Sequence, residues 1–240
     1  MRLPSGLRKM RFPQPLLGGL LLRRYKRFLA DVELADGTLL TVHCPNSGSM
    51  LGCSEPGSQV LVSRSDKPGR KYAHTLELVR VGATWVGINT SLSNRLVAEA
   101  IAGGVVAELA GVEAIVPEVR VSPESRLDFL LVRGEEKIYL EVKNCSLAVA
   151  GVAMFPDAVT VRGRRHLDEL GELRRQGHRA VVFFCVQRED VSSFRPAAHI
   201  DSQYALALRK AAESGVEVLA YRASLNPEEI CVLTALPVRL

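Results

Sequence analysis

Cysteine is sparse and unpaired in this 240-residue sequence. The five cysteines are odd in number, lie far apart and form no Cys-x-x-Cys pair. This pattern argues against a disulfide framework and against a standard zinc site. Free thiols are typical of a reducing compartment, so we expect a cytoplasmic protein.

Long apolar runs are also missing. The apolar stretch at residues 16–22 is interrupted by Gly18-Gly19 and runs directly into Arg23-Arg24. It is too short for a signal-peptide core, and no run approaches the length of a membrane span. We therefore expect no membrane insertion.

Acidic residues are absent before Asp31, while basic residues are frequent there. With a net charge of +5 and a pI near 9.1, such a block favours a polyanion, either nucleic acid or an acidic membrane surface. For residues 1–11 a solvated start is an equally good explanation. The basic residues before Asp31 are Arg2, Arg8, Lys9, Arg11, Arg23, Arg24, Lys26 and Arg27.

The second half of this block interleaves its charges with Tyr25 and Phe28. Basic residues that follow phosphates, beside aromatic rings that stack on bases, are typical of single-strand binding by OB-folds. The structural alternative is that the rings fill a barrel core, which we expect for Phe28. The nucleic-acid contacts predicted here are Arg23, Arg24, Lys26 and Arg27.

The first third of the chain reads as strands. Ala30, Val32 and Leu34 alternate with acidic residues, and Asp36-Gly37 turns the chain into a second strand. Further strands are expected at 59–63, 74–81 and 84–88. Five short strands without a clear helix predict an all-β barrel of the OB type, which we place at residues 1–88.

Residues 89–240 show a mixed α/β pattern. Asn94 is the expected N-cap of a helix reaching about Leu109, with Gly103-Gly104 in its middle. A later helix should end at Gly177, and Asp201 should cap a last helix that stops at Gly215. Between them, strands at 114–121, 126–132, 137–144, 180–186 and 216–221 predict a mixed sheet flanked by helices.

One predicted hairpin, residues 125–144, is the most informative segment. Gly134-Glu135 suits a two-residue type II′ turn, because its first central residue needs a positive φ. That turn would pair apolar residues on one face: Leu127 with Val142, Phe129 with Leu140, and Leu131 with Ile138. The other face would pair Asp128 with Glu141 and Arg126 with Lys143. The hydrophobic pattern and the turn thus indicate the same register.

This register places two carboxylates opposite each other. Opposed side chains in a sheet lie roughly 5 Å apart, where Asp128 and Glu141 would repel by about 3 kcal/mol at an effective dielectric of about 20. Solvent exposure, protonation or a divalent cation would relieve this repulsion. Carboxylate oxygens suit Mg²⁺ or Mn²⁺. Lys143 lies on the same face, where it can orient or deprotonate water or neutralise charge on a phosphate. A surface network of ion pairs is the alternative.

At these residues the chain resembles the SfsA family of sugar fermentation stimulation proteins, and the likeness covers nearly the whole chain. One departure is Gly48-Ser49-Met50, where the family usually has Gly-Arg-Met. The resemblance rests on Arg27-Phe-Leu-Ala-Asp-Val32, His43-Cys-Pro-Asn-Ser-Gly48, Trp85-Val-Gly-Ile-Asn-Thr90, Ser125-Arg-Leu-Asp-Phe129, Leu140-Glu-Val-Lys143, Phe155-Pro-Asp-Ala-Val-Thr160, Arg162-Gly163, His166-Leu167 and Phe183 to Arg188.

The resemblance implies an N-terminal OB-fold followed by a PD-(D/E)xK nuclease-like domain in a DNA-binding protein. The family's acidic pair and lysine would fall on Asp128, Glu141 and Lys143. Glu99 and Glu118 are further candidate metal ligands, each with an ordinary surface role as the alternative.

Residues outside the hairpin supply secondary candidates. Arg162 and Arg164 lie where a loop enters a helix, whose N-terminal amides favour phosphate, so we predict that both bind nucleic acid. Asp157 and Thr160 have helix capping as their structural explanation, and Gln187 should either point toward the site or cap a helix. We assign no base role to His166, because it has no recognisable partner in the sequence.

Together these features predict a cytoplasmic DNA-binding protein with an Mg²⁺- or Mn²⁺-dependent nuclease site. The alternative is a non-enzymatic DNA-binding regulator of sugar metabolism that retains a nuclease-like fold. An RNA-handling or protein-interaction module is a third class. The preference for single- or double-stranded DNA and the oligomeric state are left open.

Overall fold

The computed structural model describes residues 9–12, 15–123 and 125–240. Arg2 and Arg8, which belong to the predicted basic block, lie outside these residues. The helices are α1 (Ser93–Ala102), α2 (Val161–Arg175) and α3 (Ser202–Glu213), with 3₁₀ turns at Thr90–Leu92 and Ala107–Leu109.

Within the described residues, the strands form three sheets. They are β1 (Met10–Arg11), β2 (Leu17–Tyr25), β3 (Leu29–Leu34), β4 (Leu39–His43), β5 (Gln59–Arg64), β6 (His74–Val81), β7 (Thr84–Gly87), β8 (Ala114–Ser122), β9 (Ser125–Arg133), β10 (Glu136–Cys145), β11 (Ala148–Val149), β12 (Val152–Phe155), β13 (Arg179–Val186), β14 (Ser193–Pro196), β15 (Glu217–Leu225) and β16 (Glu229–Ala235).

The N-terminal sheet closes into a five-stranded barrel. Its strand order is β4-β3-β2-β5-β6-β7, and β4 pairs with β6 through His43 and Thr75 to close it. Alternate residues such as Leu21, Val32 and Val62 point inward and are fully buried, which is why period-two patterning predicts the barrel. The predicted OB-type barrel is confirmed.

Strand β2 was missing from the predicted set of five. Its sequence alternates poorly, because Gly18, Gly19 and a run of leucines obscure the period of two. Strand β3 begins at Leu29 instead of at Phe28. The expectation that Phe28 fills the core is wrong, since this side chain is 52% exposed beyond the β2–β3 turn.

The second sheet is mixed, as predicted. Its order is β1-β16-β15-β13-β10-β9-β8, in which β10, β13 and β15 are parallel and their neighbours antiparallel. Helix α1 covers one face and α2 with α3 covers the other, so β13 is buried on both sides. Within the described residues, no helix is both long and apolar enough to cross a membrane.

Helix ends follow the capping rules with one exception. Thr160 caps α2 by accepting a hydrogen bond from the Gly163 amide, and Asp201 caps α3 through the Tyr204 amide. Gly177 and Gly215 follow these helices with positive φ, as predicted.

The exception is α1, which differs from its prediction at both ends. Asn94 lies inside the helix, and Leu92 occupies the N-cap position without a side-chain cap bond. The helix ends at Ala102 with Gly103 as its C-cap, and Gly104 has a φ of +70°. The two glycines therefore terminate the helix, because a left-handed residue stops its hydrogen-bond pattern.

The barrel and the second sheet meet along the edge of β7. Val86 forms a bridge with Arg188, and the Gly87 amide donates to the Gln187 carbonyl at 2.8 Å. A Cβ at position 87 would overlap the Gln187 side chain, so glycine permits this close approach. The boundary proposed between residues 88 and 89 lies next to this junction and stays a prediction.

Candidate metal and nucleic-acid site

The hairpin of β9 and β10 has the predicted register. Arg133 opposes Glu136, Leu131 opposes Ile138 and Phe129 opposes Leu140. Gly134 has a φ of +60°, as the type II′ turn requires. The predicted apolar face is buried throughout. Sequence pattern and turn chemistry together were therefore sufficient to establish the pairing of these strands.

The regular pairing stops at Phe129 and Leu140, immediately before the acidic pair. From there β9 continues against β8 and β10 against β13. The Asp128 carboxylate enters the gap, and its Oδ2 accepts a hydrogen bond from the Val142 amide at 2.8 Å. Asp128 therefore binds the backbone of β10 through its side chain, and it is not the ladder partner of Glu141.

The predicted pairs beyond this point do not form. Arg126 opposes Arg120 on β8, and its guanidinium lies 4.0 Å from the Glu118 carboxylate. Lys143 instead turns to its neighbour Glu141, with Nζ and Oε1 2.6 Å apart. The ladder between β9 and β10 ends at Phe129 and Leu140, where the Asp128 carboxylate binds the Val142 amide, and a hairpin pattern alone cannot reveal this.

Glu141 is the most constrained residue of the site. It is 4% exposed, and its Oε1 contacts both the Lys143 ammonium and Nδ1 of His166. Burial by itself would raise the pKa of Glu141, but the hydrogen bond from His166 and the charge of Lys143 outweigh it and hold the pKa below its usual value. Glu141 is therefore an ionised carboxylate at neutral pH.

His166 orients this carboxylate from helix α2. Its Nε2 lies 3.4 Å from Nε of Arg162, one turn earlier on the same helix. Since Arg162 can only donate, Nε2 is the acceptor, and the ring hydrogen is assigned to Nδ1, which faces Glu141. This role of His166 was not predicted from the sequence. Its only signal was the four-residue spacing of Arg162 and His166 behind the Thr160 cap, which places both on one helix face.

Asp128 is the second carboxylate of the site. Its Oδ1 accepts from the side-chain amide of Asn94 at 2.8 Å, which explains what Asn94 does in place of the predicted capping. Burial, together with the nearby charge of Glu141, raises the pKa of Asp128 to about 6. The two predicted acids thus lie on one side of the sheet and feel each other's charge.

This donor set fits a divalent cation. Oε2 of Glu141 is buried without a hydrogen-bond partner, which is costly for an ionised carboxylate and is relieved by a cation. Within the described residues, no three His, Cys, Asp or Glu side chains converge as a metal-binding group. Asp128 and Glu141 are the residues that would hold such a cation through carboxylate oxygens, which hard divalent cations prefer.

The two secondary acids lie at different distances from this centre. Glu118 is exposed and lines the same pocket as Asp128. Glu99 lies further along α1, where its Oε1 accepts from Arg95 at 2.7 Å, and no contact described here brings it to Asp128 or Glu141. Their assignment as metal ligands stays a prediction.

An arginine-lined pocket of about 460 Å³ opens beside Asp128. Apart from the distant contact of Arg126 with Glu118, its arginines make no ion pair within the described part of the chain. A concentration of uncompensated guanidinium groups beside two carboxylates is suited to phosphate. The arginines of this pocket are Arg120, Arg126, Arg162 and Arg165.

The two arginines predicted on α2 therefore have different surroundings. Arg162 lies at the site, whereas Arg164 points to the other side of α2 and lies 3.5 Å from the Asp201 carboxylate. This contact gives Arg164 a structural role next to the cap of α3. Arg165 was not predicted, although it follows Arg162 by three residues and shares its helix face.

The basic residues of the barrel also differ in what they contact. The Arg24 guanidinium donates to the carbonyls of Arg27, Asn46, Gly48 and Ser49. These bonds occupy the group, so we no longer expect Arg24 to contact phosphate. Arg23 pairs with Asp31 at 2.7 Å but stays largely exposed.

Lys26 and Arg27 form the exposed β2–β3 turn, with φ values of 49° and 63°. Neither side chain has a carboxylate partner within the described part of the chain. Both stay predicted nucleic-acid contacts, as does Arg23.

Gln187 and Asp157 connect the two domains near the site. The Gln187 amide nitrogen donates to Ser93 at 3.1 Å and to Asn144 at 2.5 Å, so Gln187 fixes the start of α1 against the end of β10. Asp157 accepts from the Met50 amide at 2.8 Å and so holds the barrel loop instead of capping α2.

The architecture defines the class of protein. A five-stranded OB barrel is followed by a mixed sheet in which a hairpin presents an aspartate, a glutamate and a lysine. This is an OB-fold protein with a PD-(D/E)xK nuclease-like second domain.

Comparisons with known proteins identify the family. The "SfsA N-terminal OB domain" matches residues 22–88 and the "Sugar fermentation stimulation protein RE domain" matches residues 91–229. The chain is 57% identical to the sugar fermentation stimulation protein homolog of Pelobacter propionicus over 96% of this chain and 100% of that one. The homolog of Geobacter sulfurreducens is 56% identical over 95% and 98% of the two chains. The chain belongs to the SfsA family.

A solved structure agrees with this assignment over almost the full length. Pyrococcus furiosus SfsA, solved in complex with Ca²⁺, has a TM-score of 0.89 and 30% sequence identity to this chain. The likeness covers 98% of this chain and 100% of that one. The family resemblance and the fold predicted from the sequence are both confirmed.

Proposed function

We propose that this chain binds DNA and hydrolyses its phosphodiester bonds with a divalent cation, Mg²⁺ or Mn²⁺, held by Asp128 and Glu141. The observation that carries the proposal is the unpartnered, buried Oε2 of Glu141 beside a second carboxylate. The solved relative in complex with Ca²⁺ supports a divalent cation in this family. A cation bound here would supply Lewis-acid stabilisation of charge on the phosphate.

The protein's own groups would then position the reactants. Lys143, whose ammonium contacts Glu141, would orient the attacking water and balance negative charge on the phosphate. The water oxygen bonds to phosphorus, the bond to the leaving sugar oxygen breaks, the water gives up a proton and the leaving oxygen gains one. Among the described residues, the polar contacts of the His166 ring are with Glu141, Lys143 and Arg162, so it is a positioning residue.

The charge around the site supports DNA as the substrate. The arginine pocket adjoins Asp128, and the exposed turn of Lys26 and Arg27 adds charge on the barrel. Guanidinium groups without carboxylate partners are free to bind backbone phosphates, which dominate DNA affinity.

The test is cleavage of labelled single- and double-stranded oligonucleotides with Mg²⁺, Mn²⁺ or EDTA. Asp128→Asn and Glu141→Gln should each lower the rate by at least about 100-fold, because each removes a group worth several kcal/mol. Asp168→Asn, an exposed acid on α2 outside the site, serves as the matched control and should stay within about twofold. Cutting that survives both site substitutions would remove the assignment.

A second candidate is a DNA-binding regulator without hydrolytic activity. It is favoured by the engagement of Glu141 Oε1 with both Lys143 and His166, which leaves one oxygen of this residue for a cation. This candidate predicts salt-dependent DNA binding without cleavage under any metal.

A further inference from the structure

A second cavity, of about 660 Å³, lies between the barrel and the nuclease-like domain. We call it the interdomain cleft. One wall is the barrel loop at residues 46–49, and the other is the loop at residues 156–160 that precedes α2. Arg162 lines both this cleft and the arginine pocket, so the cleft adjoins the pocket that Asp128 also lines.

The walls of the cleft are held in place before any ligand arrives. The Asp157 carboxylate accepts from the Met50 amide, and the Ser49 hydroxyl donates to the Asp157 carbonyl at 2.5 Å. A Cβ at Gly48 would lie 2.7 Å from the Asp157 carboxylate oxygens, so only glycine permits this docking. Arg24 ties the same loop to the barrel. The cleft is therefore preformed, which lowers the entropic cost of binding.

Three polar side chains lining the cleft have unused hydrogen-bonding capacity. The Asn46 NH₂ and the Ser146 hydroxyl have no hydrogen-bond partner within the described residues, and neither atom is fully buried, so both stay accessible to a ligand. Asn144 accepts two hydrogen bonds through Oδ1 and leaves its NH₂ unused. Accessible donors without a protein partner can bind acceptor atoms, so these groups suit a ligand that carries such atoms.

The remaining lining is apolar or basic. Leu147, Met154 and Pro156 offer apolar surface, while Arg27 and Arg162 approach from the two domains. A nucleobase has flat apolar faces and an edge rich in acceptors, and its nucleotide carries flanking phosphates. These features match the three kinds of group that line the cleft.

We propose that the interdomain cleft takes an unpaired base of single-stranded DNA, with Arg27 and Arg162 contacting the adjoining phosphates. This inference rests on the DNA binding proposed above and names the form of the substrate. A sphere of this volume is roughly 11 Å across, narrower than the major groove alone of duplex DNA, at about 12 Å. A duplex cannot enter, whereas one unpaired nucleotide can.

The test is fluorescence anisotropy of a labelled single-stranded oligonucleotide and its blunt duplex, with the full chain in EDTA. Ala158→Phe places a ring in the cleft and should weaken single-strand binding at least about 10-fold. Ser146→Ala removes one unused hydroxyl and should weaken it about 3- to 10-fold. The matched control, Ala83→Phe in the exposed β6–β7 turn, should stay within about twofold. Duplex affinity should stay within about twofold for all three.

Because the readout is binding without metal, it is independent of hydrolysis. Unchanged single-strand affinity in Ser146→Ala and Ala158→Phe would overturn the inference, even if Asp128→Asn abolished cutting. An equal loss of duplex affinity would also overturn it. Deoxythymidine monophosphate is the second probe. If it bound as tightly as the oligonucleotide, the cleft would be a small-molecule site and the inference would fail.

Discussion

Replacing Asp128 by asparagine should stabilise the metal-free protein while it removes the proposed function. Burial and the charge of Glu141 raise the pKa of Asp128 from 3.8 to about 6. A shift of about two pKa units corresponds to about 3 kcal/mol of cost for the ionised form. Asparagine can still accept from the Val142 amide, and Asn94 can reorient its amide toward the new NH₂. After allowing for weaker hydrogen bonds, we expect a net gain of about 1–2 kcal/mol at pH 8.

The pH dependence gives this prediction its sign. Because the folded-state pKa is raised, the stability linked to protonated Asp128 is fully present below about pH 4 and is lost as the pH rises through 6. The advantage of Asp128→Asn over the native chain should therefore be largest above pH 7. It should shrink to roughly half near pH 5 and become small near pH 4.

Urea unfolding in EDTA at pH 8, 5 and 4 measures this difference, and thermal unfolding should show roughly 2–4 °C per kcal/mol for a chain of this size. Adding Mg²⁺ or Mn²⁺ should stabilise the native chain selectively and remove the variant's advantage. The control Asp168→Asn should change stability by less than about 0.5 kcal/mol. A destabilised Asp128→Asn, or a difference that does not vary with pH, would refute the reasoning.

Three further outcomes are expected. Gly48→Ala should lower stability by about 1–3 kcal/mol in thermal unfolding, because its Cβ would collide with Asp157; an unchanged midpoint would contradict the loop docking. Arg165→Gln should reduce the salt slope of DNA binding by about 1, because it removes a guanidinium of the arginine pocket. Arg164→Gln loses only a contact to the cap residue of α3 and should leave the slope unchanged. Equal slopes for the two variants would count against the arginine pocket. Phe28→Ala should change stability by less than about 0.5 kcal/mol, since the ring is exposed. It should weaken single-strand binding about 5-fold or more if the ring stacks on a base. A large loss of stability would show that the ring packs in the fold.

The hairpin shows how far local pattern can lead. Alternation over β9 and β10 and a glycine suited to one turn type were enough to pair Phe129 with Leu140 and to bring Asp128 toward Glu141. The same pattern wrongly paired Arg126 with Lys143. There the ladder between β9 and β10 has ended, and β10 keeps only its second partner β13, which a crossover brings from more than thirty residues away in the chain.

His166 and Asn94 show what local pattern misses. Each reaches an acidic residue from a different helix, 25 residues from Glu141 and 34 residues from Asp128 respectively. Nothing in their own neighbourhoods distinguishes them from ordinary helix residues. Their roles depend on how α1 and α2 pack on opposite faces of the sheet.

Composition indicated that the barrel carries basic charge but could not predict what each basic residue contacts. Arg24, Lys26 and Arg27 are adjacent in sequence, yet Arg24 holds the barrel loop together while the other two stay exposed in a turn. The difference arises because β2 ends at Tyr25, so that residues on either side of this point face different surroundings.

The sequence by itself determined the class of each domain, the family, the register of one hairpin and the identity of the acidic pair. The domain classes, the register and the acidic pair follow from periodicity, turn chemistry and capping among residues close in sequence, whereas the family follows from the resemblance of the motifs. Only the tertiary structure decided which arginines are free, which histidine orients Glu141, and that a narrow cleft with unused donors joins the two domains. These depend on contacts between segments far apart in the chain, whose geometry is set by the packing of the whole molecule.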